Sequence, residues 1–263
     1  MESQLEPFFR RQGEAFMPQP ICAGPWDPKS LHGRVIAGLL GAIIEARFGD
    51  AAFQFTRLTV DLWRLPPFVP LTVETRLVRE GGRIKVVDAE CFADGVSMGR
   101  AIGLLLRRGT PPAGEIWSPP DWDFPKPDTF DPPPPPEARD WTPMWETRGR
   151  GNAFGTVGRK QVWVRELRPL FDHEPLTPFQ RVALAADLTS PLANSGSSGL
   201  GYINTDITLY LHRDPVGEWI GFESLAHHAD AGVATGECTL YDEHGAIGRS
   251  SVAALAQRRT PTP

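Results

Sequence analysis

Leu62-Trp63-Arg64-Leu65-Pro66 is answered 149 residues later by Leu211-His212-Arg213-Asp214-Pro215, and at the same offset Glu74 meets Glu223 and Gly99-Arg100 meets Gly248-Arg249. The pairs Glu90-Cys91 and Glu237-Cys238 correspond after a two-residue slip. Matches that keep one order and one spacing indicate two tandem copies of one fold. Between them, 12 of the 27 prolines fall from Pro111 to Pro143, including the run Pro132 to Pro136, which marks an extended linker. The same stretch holds Trp117, Trp122, Trp141 and Trp145, half of the eight tryptophans. A solvated tether has no use for these rings, so the linker is expected to lie packed on its neighbours. The organisation is an N-terminal module at 1–109, a linker at 110–145 and a C-terminal module at 146–263.

Each copy opens with a helix that is apolar nearly all round, Gly33 to Arg47 in the first and Pro178 to about Ser190 in the second, and a helix without a polar face is buried on most sides. Thr177 as N-cap, Pro178 at the first position and Gln180 completing a capping box fix the start of the second. Alternating, β-branched strands follow, such as 71–78 and 84–92, with turns at Glu80-Gly81-Gly82, Ala93-Asp94-Gly95 and Glu243-His244-Gly245. An apolar helix ahead of antiparallel hairpins implies a sheet curled round that helix, the hot-dog arrangement of the α+β class. Two copies are expected to join edge to edge as a double hot dog with one continuous sheet.

The chain of 263 residues is 41% hydrophobic and 22% charged, ordinary globular composition that excludes wholesale disorder. Its net charge of −5, without a cluster of Lys or Arg, argues against nucleic acid or an anionic membrane as partner. Cys22, Cys91 and Cys238 are odd in number and lack metal-ligand spacing, so no metal or disulfide framework is expected. The apolar stretch from Val35 to Ala46 carries Gly38, Gly41 and Glu45 and is too short to span a bilayer, and the first residues hold no apolar signal core. The expectation is a cytoplasmic protein. Strands such as 69–73 and 219–222 carry more apolar residues than one buried face requires, which predicts a homodimer or higher oligomer.

Ala186-Asp187-Leu188-Thr189, the stretch from Gly201 to Arg213, the stretch from Gly236 to Asp242 and Gly248-Arg249-Ser250-Ser251 resemble the type II acyl-CoA thioesterase family. Phe8-Phe9-Arg10, Gly24-Pro25-Trp26-Asp27-Pro28 and His32-Gly33 are similar to the opening segment of its thioesterase-like relatives. The resemblance implies an acyl-CoA substrate, hydrolysis without a metal or redox cofactor, and a carboxylate, a polar strand residue and a Gln that together hold the attacking water. Carried across, the carboxylate falls on Asp187 and the polar partner on Asn204, with Thr205 beside it. The Gln position falls on Ala253, which opens the alternative of a non-catalytic acyl-thioester or lipid-binding protein.

Asp187 shares a helix face with Phe179, Val182, Ala183 and Ala186, a desolvating setting near a helix C-terminus that by itself disfavours negative charge, so local helix physics gives no reason for Asp there. Its bland explanations are a helix cap before Pro191 or a pair with Arg213. In a regular strand Asn204 and Asp206 face one way and Thr205 the other, so the first two are candidates to share the site. Gln257 has the parity of Ala253 but lies roughly 13 Å further along at about 3.3 Å per residue. Asp27 and His32 form a D-x-x-x-x-H spacing similar to the hydratase branch of the hot-dog superfamily, an alternative acid and base pair acting on an enoyl-CoA, although Asp27-Pro28 also reads as a turn. His227 and His228 point to opposite strand faces and cannot chelate one metal. Gly38 stands at the 149-residue counterpart of Asp187, so a single site centred on the second helix is expected.

Overall fold

The computed structural model describes residues 5–132, 144–151 and 155–257. Pro133 to Pro136, Trp141 and the Arg258-Arg259 pair that follows Gln257 lie outside them. The N-terminal half runs β1 (Phe9–Gln12), β2 (Ala15–Pro18), α1 (Gly33–Phe48), β3 (Phe53–Asp61), β4 (Leu71–Glu80), β5 (Ile84–Ala93) and β6 (Val96–Arg107). The C-terminal half runs β7 (Trp145–Gly149), β8 (Gln161–Glu166), α2 (Pro178–Ala185), a 3-10 turn (Ala186–Leu188) and α3 (Thr189–Asn194). It continues with a small hairpin of β9 (Ser195–Gly196) and β10 (Gly199–Leu200), then β11 (Tyr202–Asn204), β12 (Asp206–Leu211), β13 (Trp219–Asp230), β14 (Val233–Asp242) and β15 (Gly245–Ala256). Among the described residues no helix is long and apolar enough to cross a membrane.

Among the described residues thirteen strands form one antiparallel sheet in the order β1-β2-β4-β5-β6-β3-β12-β15-β14-β13-β8-β7, with β11 beside β15. The halves meet where β3 pairs with β12, and there Thr59 faces Thr208 and Leu58 faces Leu209. Thr59 and Thr208 are 149 residues apart, so a residue lies opposite its own repeat counterpart, as a two-fold relation between the halves requires. The segment entering β1 also reaches the segment that follows β8: Phe8 and Phe9 donate backbone hydrogen bonds to Pro169 and Leu170 at 3.0 and 2.9 Å.

The strand register keeps the 149-residue offset where β5 meets β6 and β14 meets β15. Cys91 pairs with Gly99 and Phe92 with Ser97, just as Leu240 pairs with Gly248 and Tyr241 with Ala246, each pair of partners flanking a bulge. Both glycines are demanded by close backbone approach: a Cβ on Gly99 would sit 2.7 Å from the Asp61 carbonyl oxygen, and one on Gly248 would collide with that of Tyr210. Cys91 therefore corresponds to Leu240, and the slipped Glu-Cys match is a coincidence of composition that hydrogen-bond register overrules.

Residues 34–44 of α1 are all buried, as its apolar surface predicts. The helix packs antiparallel to α2, and Gly38 and Gly41 let the two approach; a Cβ on Gly38 would collide with Leu184, and one on Gly41 would lie 3.2 Å from Ala183 Cβ. Gly38 is thus a packing residue. The second helix runs past Ser190 to Asn194, tightening to 3-10 at Ala186–Leu188. Pro191 has no N–H to offer the carbonyl four residues back, that of Asp187, which explains a break in the regular ladder at this place.

Part of the linker packs as expected. Trp122 stacks on Tyr241 at 4.2 Å between centroids, and Trp163 Nε1 donates to the Pro125 carbonyl at 2.8 Å, covering the outer face of β8, β13 and β14. Gly221 has no room for a Cβ beneath Trp122. Trp117, by contrast, is 85% exposed because residues 111–121 reach solvent before the chain meets the sheet. Leu71, Val73, Ile220 and Phe222 turn inward and are buried.

Candidate functional site

Asp187 occupies the 3-10 turn between α2 and α3, where its side chain points across the helix pair at the N-terminus of α1. The residue is 5% exposed. Asn204 Nδ2 donates to Oδ1 at 2.9 Å, and His32 Nδ1 lies 3.1 Å from Oδ2. His32 is the N-cap of α1, and its Nδ1 is also 3.4 Å from the Arg34 N–H. A proton on Nδ1 serves the carboxylate, and an Nδ1 that donates there does not also accept from the Arg34 N–H. Burial pushes the Asp187 carboxyl up, but the hydrogen bond and charge of His32, followed by Asn204 and Arg34, more than offset it and hold the group below its ordinary value of 3.8. Asp187 is therefore ionised at neutral pH.

Gly33 opens α1 against this carboxylate. A Cβ there would lie 3.6 and 3.7 Å from the two Asp187 oxygens and 2.9 Å from Leu62 Cδ1. Its N–H, first in a 16-residue helix, has no partner among the described residues. The site thus combines a carboxylate from the second half with a positive helix terminus from the first. It does not belong mainly to the second helix, because antiparallel packing sets the start of one helix beside the end of the other.

A bulge decides which way Asn204 points. Asn204 pairs with Ala254 whereas Thr208 pairs with Ser251, so the register shifts by one residue at Thr205. Ser250, Val252 and Ala254 are buried on the helix side of β15, where Ser250 Oγ donates to the Ala186 carbonyl at 3.1 Å. Asn204 opposite Ala254 faces that side, while Asp206 has the parity of Thr208 and the outer face. Asn204 and Asp206 therefore do not share a face, contrary to the regular-strand expectation. Asp206 serves the bulge: its Oδ1 accepts the Ala253 N–H at 2.5 Å, and Thr205 gives its N–H and hydroxyl to the Ala253 carbonyl at 2.9 and 3.3 Å. Burial raises the Asp206 pKa, with the Ala253 N–H opposing and Asp61 reinforcing the rise.

Ala253, on the outer face, does not look toward Asp187, and the β15 neighbour of Asn204 on the inner face is Ala254. Gln257 is exposed and bonds the Gly201 carbonyl through its backbone N–H at 2.8 Å, away from the carboxylate. Asp27 makes a turn, its Oδ1 accepting Lys29 N–H at 2.9 Å. The hydratase-like pair is not formed, because His32 turns to Asp187. Arg213 is engaged by Asp242 rather than Asp187. His227 is within 2.8 Å of Asn194 Oδ1. Among the described residues no group of three His, Cys, Asp or Glu could hold a metal.

Two features had no sequence signal in a single chain. Arg34 and Glu166, with side chains 0% and 1% exposed, form a buried ion pair under Trp145, whose ring lies 4.3 Å from Arg34 Cζ. Glu45 near the end of α1 accepts from the Thr177 hydroxyl and from Gln180 Nε2 at 3.0 Å at the start of α2, so the first half does supply a carboxylate, one turn pair beyond Gly38. Burial raises its pKa; Thr177 and Gln180 oppose that and Asp214 adds to it.

A sheet curled round a central helix, with a carboxylate at a helix terminus, defines a hot-dog protein of the α+β class, and solved structures agree. At 16% identity and a TM-score of 0.72, a hot-dog protein of unknown function from Alicyclobacillus acidocaldarius aligns over 96% of both chains. The tesB protein of Mycobacterium avium subspecies paratuberculosis aligns over 95% of this chain and 96% of its own at 15% identity and a TM-score of 0.67. An acyl-CoA thioesterase II from Mycobacterium marinum covers 97% and 96% at 15% identity and 0.63. No curated protein matches the chain by sequence. The family profiles do: the acyl-CoA thioesterase N-terminal domain matches residues 22–106 and the acyl-CoA thioesterase C-terminal domain residues 121–255. The chain belongs to the acyl-CoA thioesterase II family.

Proposed function

We propose that this protein hydrolyses an acyl-CoA thioester at one site formed by Asp187, Asn204, His32 and Gly33. The observation that carries the reading is a buried, ionised carboxylate held by two donors beside a helix-terminal N–H that has no partner among the described residues. Each Asp187 oxygen keeps a lone pair for a water molecule after accepting from Asn204 or His32. The water oxygen attacks the thioester carbonyl carbon and its proton passes to Asp187; the carbonyl oxygen, now negative, is stabilised by the Gly33 N–H and the α1 terminus. Collapse breaks the C–S bond, and the departing thiolate recovers the proton. No metal or redox cofactor enters.

The helix pair explains why one site is proposed rather than two. Thr177 caps α2 as His32 caps α1, but the next residue is Pro178, which has no N–H, and Glu45 is consumed by Thr177 and Gln180. A double hot dog with modules at 1–109 and 146–263, a cytoplasmic location and a homodimeric or higher state are part of the same proposal.

The test is a panel of acyl-CoAs followed with a thiol reagent. Turnover by the wild type that Asp187→Asn abolishes supports the reading; a folded wild type that releases no thiol refutes it. A second assignment of the base has its own support, since Nδ1–H···Asp187 leaves His32 Nε2 free to take the proton, in the manner of an Asp-oriented histidine. Loss of activity in His32→Gln equal to that in Asp187→Asn favours it. The non-catalytic binding reading gains from β15, where alanines stand at both 253 and 254.

A further inference from the structure

The repeated motif 62–66 and 211–215 is the sequence feature that the proposed chemistry leaves unused, and its two copies behave differently. In the C-terminal copy Arg213 is locked: Asp242 takes it with both carboxylate oxygens, and the same buried carboxylate also accepts the N–H of Val216 at 2.8 Å and of His244 at 2.8 Å. In the N-terminal copy the register places Ala93, paired with Val96, where Asp242 pairs with Gly245. With no carboxylate at Ala93, Arg64 makes no ion pair or hydrogen bond among the described residues and is exposed. Next to it Trp63 presents an indole that is 48% exposed and yet fixed, because its Nε1 donates to the Ser97 carbonyl at 3.2 Å. Trp63, Arg64, Val96 and Ser97 line a shallow depression of about 560 Å³.

This depression adjoins the carboxylate site through the backbone. Leu62, the preceding residue, touches the Gly33 position and donates its N–H to the Thr205 carbonyl at 2.7 Å, beside Asn204. Pro66 accepts the Leu31 N–H at 2.8 Å, and Pro67 bridges to Ser30, so the loop also braces the segment that delivers His32. Arg64 lies two residues, roughly 7 Å of extended chain, from the side chain that touches Gly33. A fixed aromatic face beside an uncompensated guanidinium suits a ligand that carries a heteroaromatic ring and a phosphate together.

We propose that Trp63 and Arg64 dock the nucleotide end of the coenzyme A half of the substrate, the base on the indole and a phosphate on the guanidinium. The proposal deepens the thioesterase reading and rests on it for the identity of the ligand. The repeat explains the origin of the site: replacing the buried carboxylate of one copy by alanine releases the arginine, which becomes available to an anion from outside.

The experiment compares binding of coenzyme A with binding of pantetheine, which lacks the nucleotide, by titration calorimetry on the full chain. The wild type is expected to prefer coenzyme A, and Arg64→Ala to reduce that preference roughly five- to tenfold, the effect of one charge-assisted contact at a partly exposed site. Trp63→Ala is expected to reduce it by about fivefold or more, the range of a base stacked on an aromatic ring. Ala93→Asp restores the carboxylate that holds Arg213 in the other copy and should mimic Arg64→Ala while leaving both Trp63 and Arg64 in place. Equal binding of coenzyme A and pantetheine by the wild type, or a preference unchanged in Arg64→Ala, overturns the proposal. Wild-type hydrolysis of acyl-CoA and acyl-pantetheine is measured in parallel. Turnover without a coenzyme A preference removes this site and leaves the thioesterase reading; a preference that Arg64→Ala abolishes, without turnover, removes hydrolysis and leaves the site.

Discussion

Replacing Asn204 by alanine tests the electrostatics of the site without touching the carboxylate. The Asn204 amide donates to Asp187 Oδ1 at 2.9 Å, and the Asp187 side chain is 7% exposed, so water does not readily replace the lost donor. A hydrogen bond to a buried charged group is worth about 1.5–3 kcal/mol, and the variant should lose that much stability at neutral pH. The pH dependence follows from the depressed pKa. A carboxyl whose folded pKa lies below the unfolded value contributes stability that is present above the unfolded value, here 3.8, and is lost as pH falls through the folded one. Asn204 supplies part of that depression, so the deficit of Asn204→Ala should be full at about pH 7 and shrink as pH falls below 3.8 and through the lower folded-state value, where the carboxyl becomes protonated in both states. Urea denaturation of both proteins across that interval measures it, with the same comparison in an Asp187→Asn background as the control. A deficit that is constant with pH, or that persists in that background, would show that Asn204 acts through packing at the bulge and not through the carboxylate.

Glu166→Gln strands the buried Arg34 charge and should cost about 3–5 kcal/mol in thermal or urea unfolding, while the double change Arg34→Met with Glu166→Leu should recover most of it. Gly38→Ala puts a methyl into Leu184 at the helix crossing and should destabilise by about 1–3 kcal/mol, read by the same unfolding curves. On β15, Ala254→Gln presents an amide beside Asn204 and should raise the thioesterase rate, whereas Ala253→Gln, on the outer face, should leave the rate unchanged in the thiol-release assay. Light scattering should return at least twice the chain mass, since Val233 and Leu255 pair across β14 and β15 with both side chains exposed; a monomer mass would refute the oligomer.

What depends on local pattern is legible along the chain. The helix at 178 began where Thr177, Pro178 and Gln180 said it would, because a capping box is satisfied by residues three apart. The 149-residue offset set the halves in register, and it could be read in part because both copies kept glycine at 99 and 248, where a neighbouring strand's carbonyl leaves no room for a Cβ. Asp187 stood out because a carboxylate on an apolar helix face has no local reason to be there. Which groups surround it follows from packing between elements far apart in the chain. His32 lies five residues from Asp27 and 155 from Asp187, yet antiparallel helix packing gives it to the latter. Strand parity placed Asn204 and Asp206 together until one extra residue at Thr205 reversed it, and a bulge leaves no mark that parity can detect. The Arg34–Glu166 pair and the release of Arg64 by Ala93 depend on contacts between strands and helices distant in the chain, and such contacts exist only once the sheet has closed around them.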